Sequence, residues 1–388
     1  MTAIDSAAPA FGANSWLVEE MYEQFRSDPD SVSETWREFF SDYKPAIPPA
    51  PTAPPTPPTV TATVSNGTPA QPSPAAASQA VAEEVGDPIR GAGAAIAANM
   101  ERSLSVPTAT SFRNIPAKLL EVNRKVINGY RSRSGQGKVS FTHLIGFAVV
   151  RAIAASVPNM NNAFTTGADG KPRIIHNPSV NMGLAVDVDK GDGTRTLVVP
   201  VLRNADSLDF SGFLAAYEDL IRKVRGNKLA VSDFQGATIT LTNPGTIGTV
   251  QSVPRLMSGQ GTIVGVGTID YPAEFQGADE RALGSFGVSK VVTITSTYDH
   301  RIIQGAESGM FLKRVHELLL GEHGFYEDVF KSLGVPYEAV KWRVDHSPID
   351  SEEAMLHKQM QVAMLIRVHR VRGHLIADLD PLRWKEPQ

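Results

Sequence analysis

The chain of 388 residues contains no cysteine. Without a thiol, disulfide bonds, a cysteine nucleophile and cysteine-ligated metals are all excluded. An excess of basic residues is also lacking, because 37 Lys and Arg stand against 41 Asp and Glu, for a formal net charge of -4. A nucleic-acid partner is therefore not indicated. No run of apolar residues is long enough to span a bilayer, which argues against a membrane protein.

The amino terminus lacks the features of a targeting segment. Residues 1–13 include Asp5 but neither Lys nor Arg. Signal and transit peptides both carry basic residues, so neither is indicated and a cytoplasmic location is expected. Apolar residues make up 42% of the chain, which is enough for a substantial core, and the length suggests two or three domains.

Charge is missing altogether from residues 45–82, where Pro, Ala and Thr dominate. Proline interrupts both helices and sheets, and the segment offers too little apolar bulk to form a core. The composition therefore predicts a disordered linker over residues 45–86. It separates an amino-terminal arm, residues 1–44, from the rest of the chain.

A histidine lies where a strand should end. Residues 291–297 read Val-Val-Thr-Ile-Thr-Ser-Thr, then Tyr298-Asp299-His300-Arg301 follows, and a helical pattern begins near Ala306. A neutral imidazole at a strand end can open onto a cleft and take a proton from a thiol, which is a poor nucleophile until it is deprotonated. A lone Asp-His-Arg is more often a structural histidine, so His300 alone decides nothing.

A second strand pattern, residues 238–242, runs into an Asn-Pro-Gly turn. The hydroxyl of Thr242 at its end could donate a hydrogen bond to an oxyanion, although threonine is also common in strands for its β propensity alone. Residues 141–152 have the apolar spacing of a helix, which should end near Pro158. Another helix is predicted to start within residues 90–100.

In this order and spacing, the four segments resemble the catalytic domain of the dihydrolipoamide acyltransferases. These are core components of 2-oxoacid dehydrogenase complexes and share the fold of chloramphenicol acetyltransferase. The resemblance covers about residues 87–330, and the motifs around Thr242 and His300 look most like the succinyltransferase branch. It implies an α/β (two-layer α+β) fold with a mixed β-sheet, and reversible succinyl transfer between dihydrolipoyl-lysine and coenzyme A.

The resemblance also implies roles for individual residues. His300 would be the general base for the attacking thiol, and Thr242 would stabilise the oxyanion, in a homotrimer whose sites lie between subunits. One position departs from the family pattern, because Gln304 stands four residues after the histidine where the family has aspartate. We expect Gln304 to be structural. The rival hypothesis is a catalytically degenerate fold kept as an assembly scaffold.

The two ends of the chain carry a second resemblance. Residues 11–40 look like the amino-terminal arm of the 2-oxoglutarate dehydrogenase decarboxylase component, and residues 367–382 look like the opening of its main body. This layout is similar to that of the actinobacterial fused 2-oxoglutarate dehydrogenase/decarboxylase family. It implies that residues 331–388 are a connector and the start of that body. Thiamine diphosphate and Mg²⁺ would belong only to the remainder of the body.

The same resemblance implies partners. No lipoyl-attachment domain is visible, so the lipoyl domain should come from a separate acyltransferase component, and dihydrolipoamide dehydrogenase is expected by membership of the complex. The arm has two short helical patterns with aromatic faces, around residues 15–25 and 32–40. Helices this short need a partner surface. That surface is either this chain's own core or the decarboxylase body; we favour the body, and expect the arm to be dispensable for acyl transfer.

Overall fold

The computed structural model describes residues 11, 14–41, 43, 89, 92–189, 195–341 and 351–373. The chain divides into two compact units, Met1–Lys341 and Trp342–Gln388. The helices of the first unit are α1 (Ser15–Ser27), α2 (Glu34–Ser41), α3 (Ala92–Leu104), α4 (Lys118–Arg133), α5 (Phe141–Ala155), α6 (Phe210–Arg225), α7 (Glu280–Ser285), α8 (Gly305–Leu319) and α9 (Phe325–Ser332). Its strands are β1 (Thr108–Pro116), β2 (Ala163–Thr166), β3 (Pro172–Ile175), β4 (Met182–Asp189), β5 (Arg195–Val198), β6 (Val201–Leu202), β7 (Ile239–Thr242), β8 (Thr262–Asp270) and β9 (Val291–Asp299).

The main sheet is mixed. Its strands follow the order β1-β9-β8-β7-β4-β5, and β6 pairs with β4 beside this path. The central strand β7 is parallel to both of its neighbours, whereas β9 is antiparallel to β1 and β8. Strands β2 and β3 form a separate hairpin. The predicted α/β fold with a mixed sheet is confirmed.

One face of the sheet is covered by helices that supply the main core. Helix α5 is apolar almost all round and is buried along its length, which is typical of a helix in the middle of a core. Its start is fixed by a capping box, in which the Ser140 hydroxyl accepts from the His143 amide and the His143 ring accepts from the Ser140 amide. The helix approaches the sheet closely at Gly146, where a side-chain carbon would lie 3.1 Å from Leu241 of β7.

The aromatic face of the arm packs against this chain's own domain. Trp36 is buried and lies in one apolar cluster with Val198 of β5 and with Phe234. Asn14 is also buried; its amide nitrogen donates to the Val199 carbonyl (2.8 Å), and its side-chain oxygen accepts from the Val199 amide (2.9 Å). The favoured interpretation that this face docks on a decarboxylase body is therefore wrong, because strand β5 at the edge of the sheet already covers it.

The second unit contains helix α10 (Ser351–Arg372). Its described side chains are exposed, and many are apolar: Met355, Leu356, Met360, Val362, Met364, Leu365, Ile366, Val368 and Val371. Within the described residues, no helix combines the length and the hydropathy that a bilayer crossing needs.

Candidate active site

His300 lies at the turn between β9 and α8, and its side chain is exposed. Hydrogen bonds hold the backbone on both sides of the turn's start: the His300 amide donates to the Pro107 carbonyl (2.9 Å), and the Asp299 amide donates to the Gly261 carbonyl (3.2 Å). The ring of Tyr298 lies 5.6 Å from the imidazole, centroid to centroid. The imidazole is thus presented to solvent from a backbone that neighbouring segments fix.

The residues on either side of His300 form an ion pair. The Asp299 carboxylate is buried and accepts hydrogen bonds from the Arg301 guanidinium, from Nε (2.8 Å to Oδ1 and 3.2 Å to Oδ2) and from Nη2 (2.6 Å), as well as one from the Arg301 amide (3.0 Å). Because a bidentate pair has a fixed geometry, it closes the turn around the histidine. The hydrogen bonds of the carboxylate go to Arg301 and not to the imidazole, so Asp299 orients the turn and not the ring directly.

Thr242 is the last residue of β7 and is half-buried. It pairs with Ala185 of β4 on one side and with Gly265 of β8 on the other. Among the described residues, its hydroxyl has no hydrogen-bond partner. The next residue, Asn243, donates from its side chain to Thr142 Oγ1 of α5 (2.7 Å), which anchors the turn after the strand. The Thr242 hydroxyl is therefore free to donate to a bound group.

The two candidate residues do not meet within one chain. Strand β7 is parallel to β8 while β9 is antiparallel to it, so the carboxyl ends of β7 and β9 lie at opposite ends of the sheet. Gly265 pairs with both Thr242 and Thr295, and His300 follows Thr295 by five residues. At about 3.4 Å per residue and about 4.8 Å per strand, His300 lies roughly 17 Å along and about 10 Å across from Thr242. A reaction that uses both residues needs two chains.

Comparisons with known proteins identify the family of the domain. Residues 82–323 match the model of the 2-oxoacid dehydrogenases acyltransferase (catalytic domain). The chain belongs to this family. Residues 8–46 match a second model, the 2-oxoglutarate dehydrogenase N-terminus. Both resemblances predicted from the sequence are confirmed.

The chain is similar along nearly its whole length to longer proteins from mycobacteria. A "multifunctional 2-oxoglutarate metabolism enzyme" of Mycolicibacterium vanbaalenii is 48% identical over 418 residues, covering 98% of this chain and 33% of that protein. One of the same name from Mycobacterium sp. strain KMS is 46% identical over 443 residues, with 98% and 34% covered. The chain thus spans about a third of the length of these curated relatives. A probable dihydrolipoamide acetyltransferase of Listeria monocytogenes is 25% identical with a TM-score of 0.50, covering 66% of this chain and 98% of that one.

Gln304, the departure from the family pattern, is the residue that precedes helix α8. Its side chain is exposed, and its backbone amide donates to the Glu307 carboxylate (2.7 Å). The Glu307 amide in turn donates to the Gln304 carbonyl (3.0 Å). Gln304 starts the helix through backbone hydrogen bonds that other residue types could also make, so they do not test the prediction that Gln304 is structural. The contribution of its amide side chain to the chemistry stays a prediction.

A second histidine, His143, is buried in helix α5. The sequence did not indicate a role for it, because it lies within a regular helical pattern and outside any recognisable motif. Its ring lies 4.4 Å from that of Tyr217. Burial, together with the charges of Arg131 and Arg124, lowers the pKa of His143 to about 4. The carboxylate of Glu218 lies 3.3 Å from Nε2 and favours the protonated ring, but it is half-exposed and burial outweighs it. His143 is therefore neutral near pH 7 and acts as a capping and core residue.

A group of possible metal ligands lies at the carboxyl end of α8. Ligand atoms of Glu317, Glu322 and His323 come within 4.8 Å of one another. Two of these residues are exposed, and Nε2 of His323 already lies 3.4 Å from the Glu317 carboxylate. An ion pair at the surface accounts for this arrangement, and thioester exchange by a histidine needs no metal.

Proposed function

We propose that this domain transfers a succinyl group reversibly between dihydrolipoyl-lysine and coenzyme A. The observation that carries the proposal is the exposed His300, whose turn is closed by the Asp299–Arg301 pair in a domain of the acyltransferase family. The succinyl group follows from the names of the relatives, which are enzymes of 2-oxoglutarate metabolism. Coenzyme A and lipoamide act as substrates.

The chemistry follows from the two candidate residues. The imidazole of His300 takes the proton of the attacking thiol, and the thiolate adds to the thioester carbonyl. The tetrahedral oxyanion accepts a hydrogen bond from the Thr242 hydroxyl. When the intermediate collapses, the C–S bond to the other thiol breaks, and the leaving thiolate recovers a proton from the imidazolium. The reaction is symmetrical, so the same residues serve both directions.

We infer that each site is shared between two chains of a homotrimer. The separation of Thr242 and His300 supports the sharing, and the number three comes from the family resemblance. His300 of one chain would face Thr242 of its neighbour, and the two thiol substrates would enter from opposite sides. The exposed His300 imidazole and the Thr242 hydroxyl, which has no partner among the described residues, are both available to form a site when two chains assemble.

The proposal extends to the longer protein that the relatives exemplify. We propose an arm at residues 1–44, a linker at 45–86, the acyltransferase domain at 87–330, and a connector leading into a decarboxylase body at 331–388. Thiamine diphosphate and Mg²⁺ are proposed only for the rest of that body. The lipoyl domain of a separate component and dihydrolipoamide dehydrogenase are the proposed partners, in the cytoplasm.

The direct test is an assay with succinyl-coenzyme A and free dihydrolipoamide, in which the products coenzyme A and succinyl-dihydrolipoamide are separated by chromatography and quantified. The wild-type protein should transfer succinyl, and His300→Ala should lower the rate by about 10²–10⁴-fold, the usual contribution of a general base. His323→Asn is the matched control, because that histidine is exposed and remote in the chain, and asparagine tolerates its positive φ of 57°. Unchanged transfer by a folded His300→Ala protein would refute the assignment.

The same assay decides the rival hypothesis of a degenerate scaffold, which is favoured by Gln304 in place of the family aspartate. A scaffold predicts a folded wild-type protein that transfers nothing to either thiol. If the wild-type protein is inactive, Gln304→Asp separates two causes. Activity restored by this variant would mean that only the family carboxylate is missing, whereas an inactive variant would support the scaffold. Transfer by the wild-type protein rules the scaffold out.

A further inference from the structure

The turn that carries His300 is held by a segment far away in sequence. This segment, residues 159–164, contains the end of a 3-10 helix (Pro158–Asn161) and the start of β2. It contacts the turn at residues on both sides of the histidine. The Asp-His-Arg motif gives no hint of these contacts, because they come from about 140 residues earlier in the chain.

The first contact is made by Phe164. The guanidinium carbon of Arg301 lies 3.6 Å from the centroid of the Phe164 ring, which is a close cation–π stack. The same guanidinium holds the Asp299 carboxylate through Nε and Nη2. Phe164 therefore fixes the plane of the arginine that closes the turn, and His300 lies between the two members of that pair.

The second contact lies on the other side of His300. The amide nitrogen of Asn159 donates to Glu307 Oε1 (2.6 Å). The other oxygen of that carboxylate, Oε2, accepts from the Gln304 amide (2.7 Å). One carboxylate thus ties the 159–164 segment to the residue at which the turn ends and α8 begins.

A third contact is made through the backbone. The Asn162 carbonyl packs so closely on Gly261 that a side-chain carbon there would lie 2.2 Å from it. The Gly261 carbonyl accepts the hydrogen bond of the Asp299 amide (3.2 Å). Gly261 therefore connects Asp299, the residue before His300, to the 159–164 segment. Any residue other than glycine at position 261 would push the Asn162 carbonyl and the backbone of residue 261 apart.

We propose that the 159–164 segment is a positioning element for the catalytic turn, with Phe164 and Asn159 as its positioning residues. Three contacts before and after His300 determine where the imidazole is presented to the neighbouring chain. This inference rests on the proposed acyl transfer for its effect on rate, but the placement of the ring is a property of the fold. Neither residue needs to touch a substrate.

The test compares four variants in the succinyl-transfer assay. Phe164→Leu keeps an apolar side chain but removes the ring face, and should lower kcat about 10- to 100-fold, as expected for a small misplacement of a catalytic group. The KM for coenzyme A should stay within about twofold, because substrate contacts are kept. Phe164→Tyr retains the ring and should restore kcat. Lys171→Ala, at the exposed tip of the same hairpin, should have no effect.

Asn159→Ala is the fourth variant, chosen because Asn159 is exposed and its replacement should not prevent folding. It should lower kcat in the same way and to a smaller extent. If Phe164→Leu does not fold, Asn159→Ala and Phe164→Tyr still decide the question. Wild-type kcat in folded Phe164→Leu and Asn159→Ala proteins, or an equal loss in Phe164→Tyr and Phe164→Leu, would overturn the proposal.

A measurement without turnover separates this proposal from the proposed function. The imidazole resonances of His300 in an NMR spectrum, assigned with His300→Ala, should move in Phe164→Leu and not in Lys171→Ala. If the wild-type protein transfers no succinyl group but the His300 resonances move, the proposed function fails and the positioning role stands. If transfer is normal and the resonances do not move, the positioning role fails alone.

Discussion

Thr242 provides the sharpest single-residue test of the chemistry, because its hydroxyl is half-buried and has no partner among the described residues. Thr242→Val keeps the side-chain shape and removes the hydroxyl. Since the oxyanion develops in the transition state and the tetrahedral intermediate but is absent from the bound thioester, kcat should fall about 10²–10³-fold, the usual cost of losing one oxyanion donor. The KM for coenzyme A should change little.

Thr196→Val, in the edge strand β5, is the matched control and should leave kcat and KM unchanged. A variant Thr242→Val with an increased KM and a normal kcat would instead make Thr242 a contact of the bound substrate. Steady-state kinetics with both thiol substrates distinguishes the two outcomes.

His143 gives a prediction about stability and pH. Its pKa is lowered to about 4 in the folded chain, against about 6.5 in an unfolded one. Above pH 6.5 His143 is neutral in both the folded and the unfolded chain, and it does not make the free energy of unfolding depend on pH. As the pH falls from 6.5 to 4, the unfolded chain binds a proton that the folded chain does not, so stability falls by up to about 3 kcal/mol.

The variant His143→Gln tests this, because glutamine preserves the capping box with Ser140 but does not titrate. Urea unfolding at several pH values should show wild-type stability decreasing relative to the variant across this window. Gln24→Ala, an exposed change that removes no titratable group, is the control and should follow the wild-type curve. Parallel curves for wild type and His143→Gln would contradict the lowered pKa.

At the residue scale, the sequence located the candidate residues at the ends of their strands but did not predict how the two residues lie relative to each other. His300 and Thr242 were predicted as strand-end residues, and the structure places each at the end of a strand. That they lie at opposite ends of one sheet depends on whether β7 and β9 run parallel or antiparallel to β8, which local patterns do not encode. Phe164 and Asn159 escaped prediction because their contacts are made across the fold.

At the scale of elements, the strongly periodic segments were predicted well. The helix around residues 141–152 and the strand before His300 have the predicted type and nearly the predicted limits. Strand β1 and the β2–β3 hairpin were not predicted. Residues 172–175 of the hairpin are all exposed, so the hairpin lacks the alternation of buried and exposed positions that marks a half-buried strand.

The arm was the main error at this scale. An aromatic helix face shows that a partner exists, but its composition does not say which surface it covers. The structure assigns it to the edge strand β5, where Asn14 exchanges two hydrogen bonds with the Val199 backbone. The arm was expected to be dispensable. Because Val198 and Phe234 pack against it, removal of the residues before Glu84 should instead expose these two apolar side chains.

Asn14→Ala tests the docking of the arm. The Val199 amide and carbonyl would lose a buried partner, a cost of about 1–3 kcal/mol. Tryptic cleavage after Arg26 in α1 should therefore become about tenfold faster or more, because cleavage follows the population of the open arm. Gln24→Ala, an exposed change in the same helix, should leave the rate near that of the wild type. Equal cleavage of both variants would mean that the Asn14 contacts do not hold the arm.

At the scale of the whole molecule, the topology of the sheet means that the proposed site, which uses both His300 and Thr242, cannot form within one chain. The proposed base and oxyanion donor are separated by two strand spacings and by about half the length of β9. Assembly is therefore part of the mechanism and not an addition to it. Sequence resemblance suggested a trimer, and the strand directions give a physical reason for sites between chains.

The most direct test of this account mixes two inactive proteins. Trimers of His300→Ala and trimers of Thr242→Val are combined under conditions of verified subunit exchange, and succinyl transfer is measured. With random assortment of equal amounts, about a quarter of the sites combine an intact His300 from one chain with an intact Thr242 from its neighbour. The account predicts recovery of about a quarter of wild-type activity; no recovery after complete exchange would show that the site lies within a single chain.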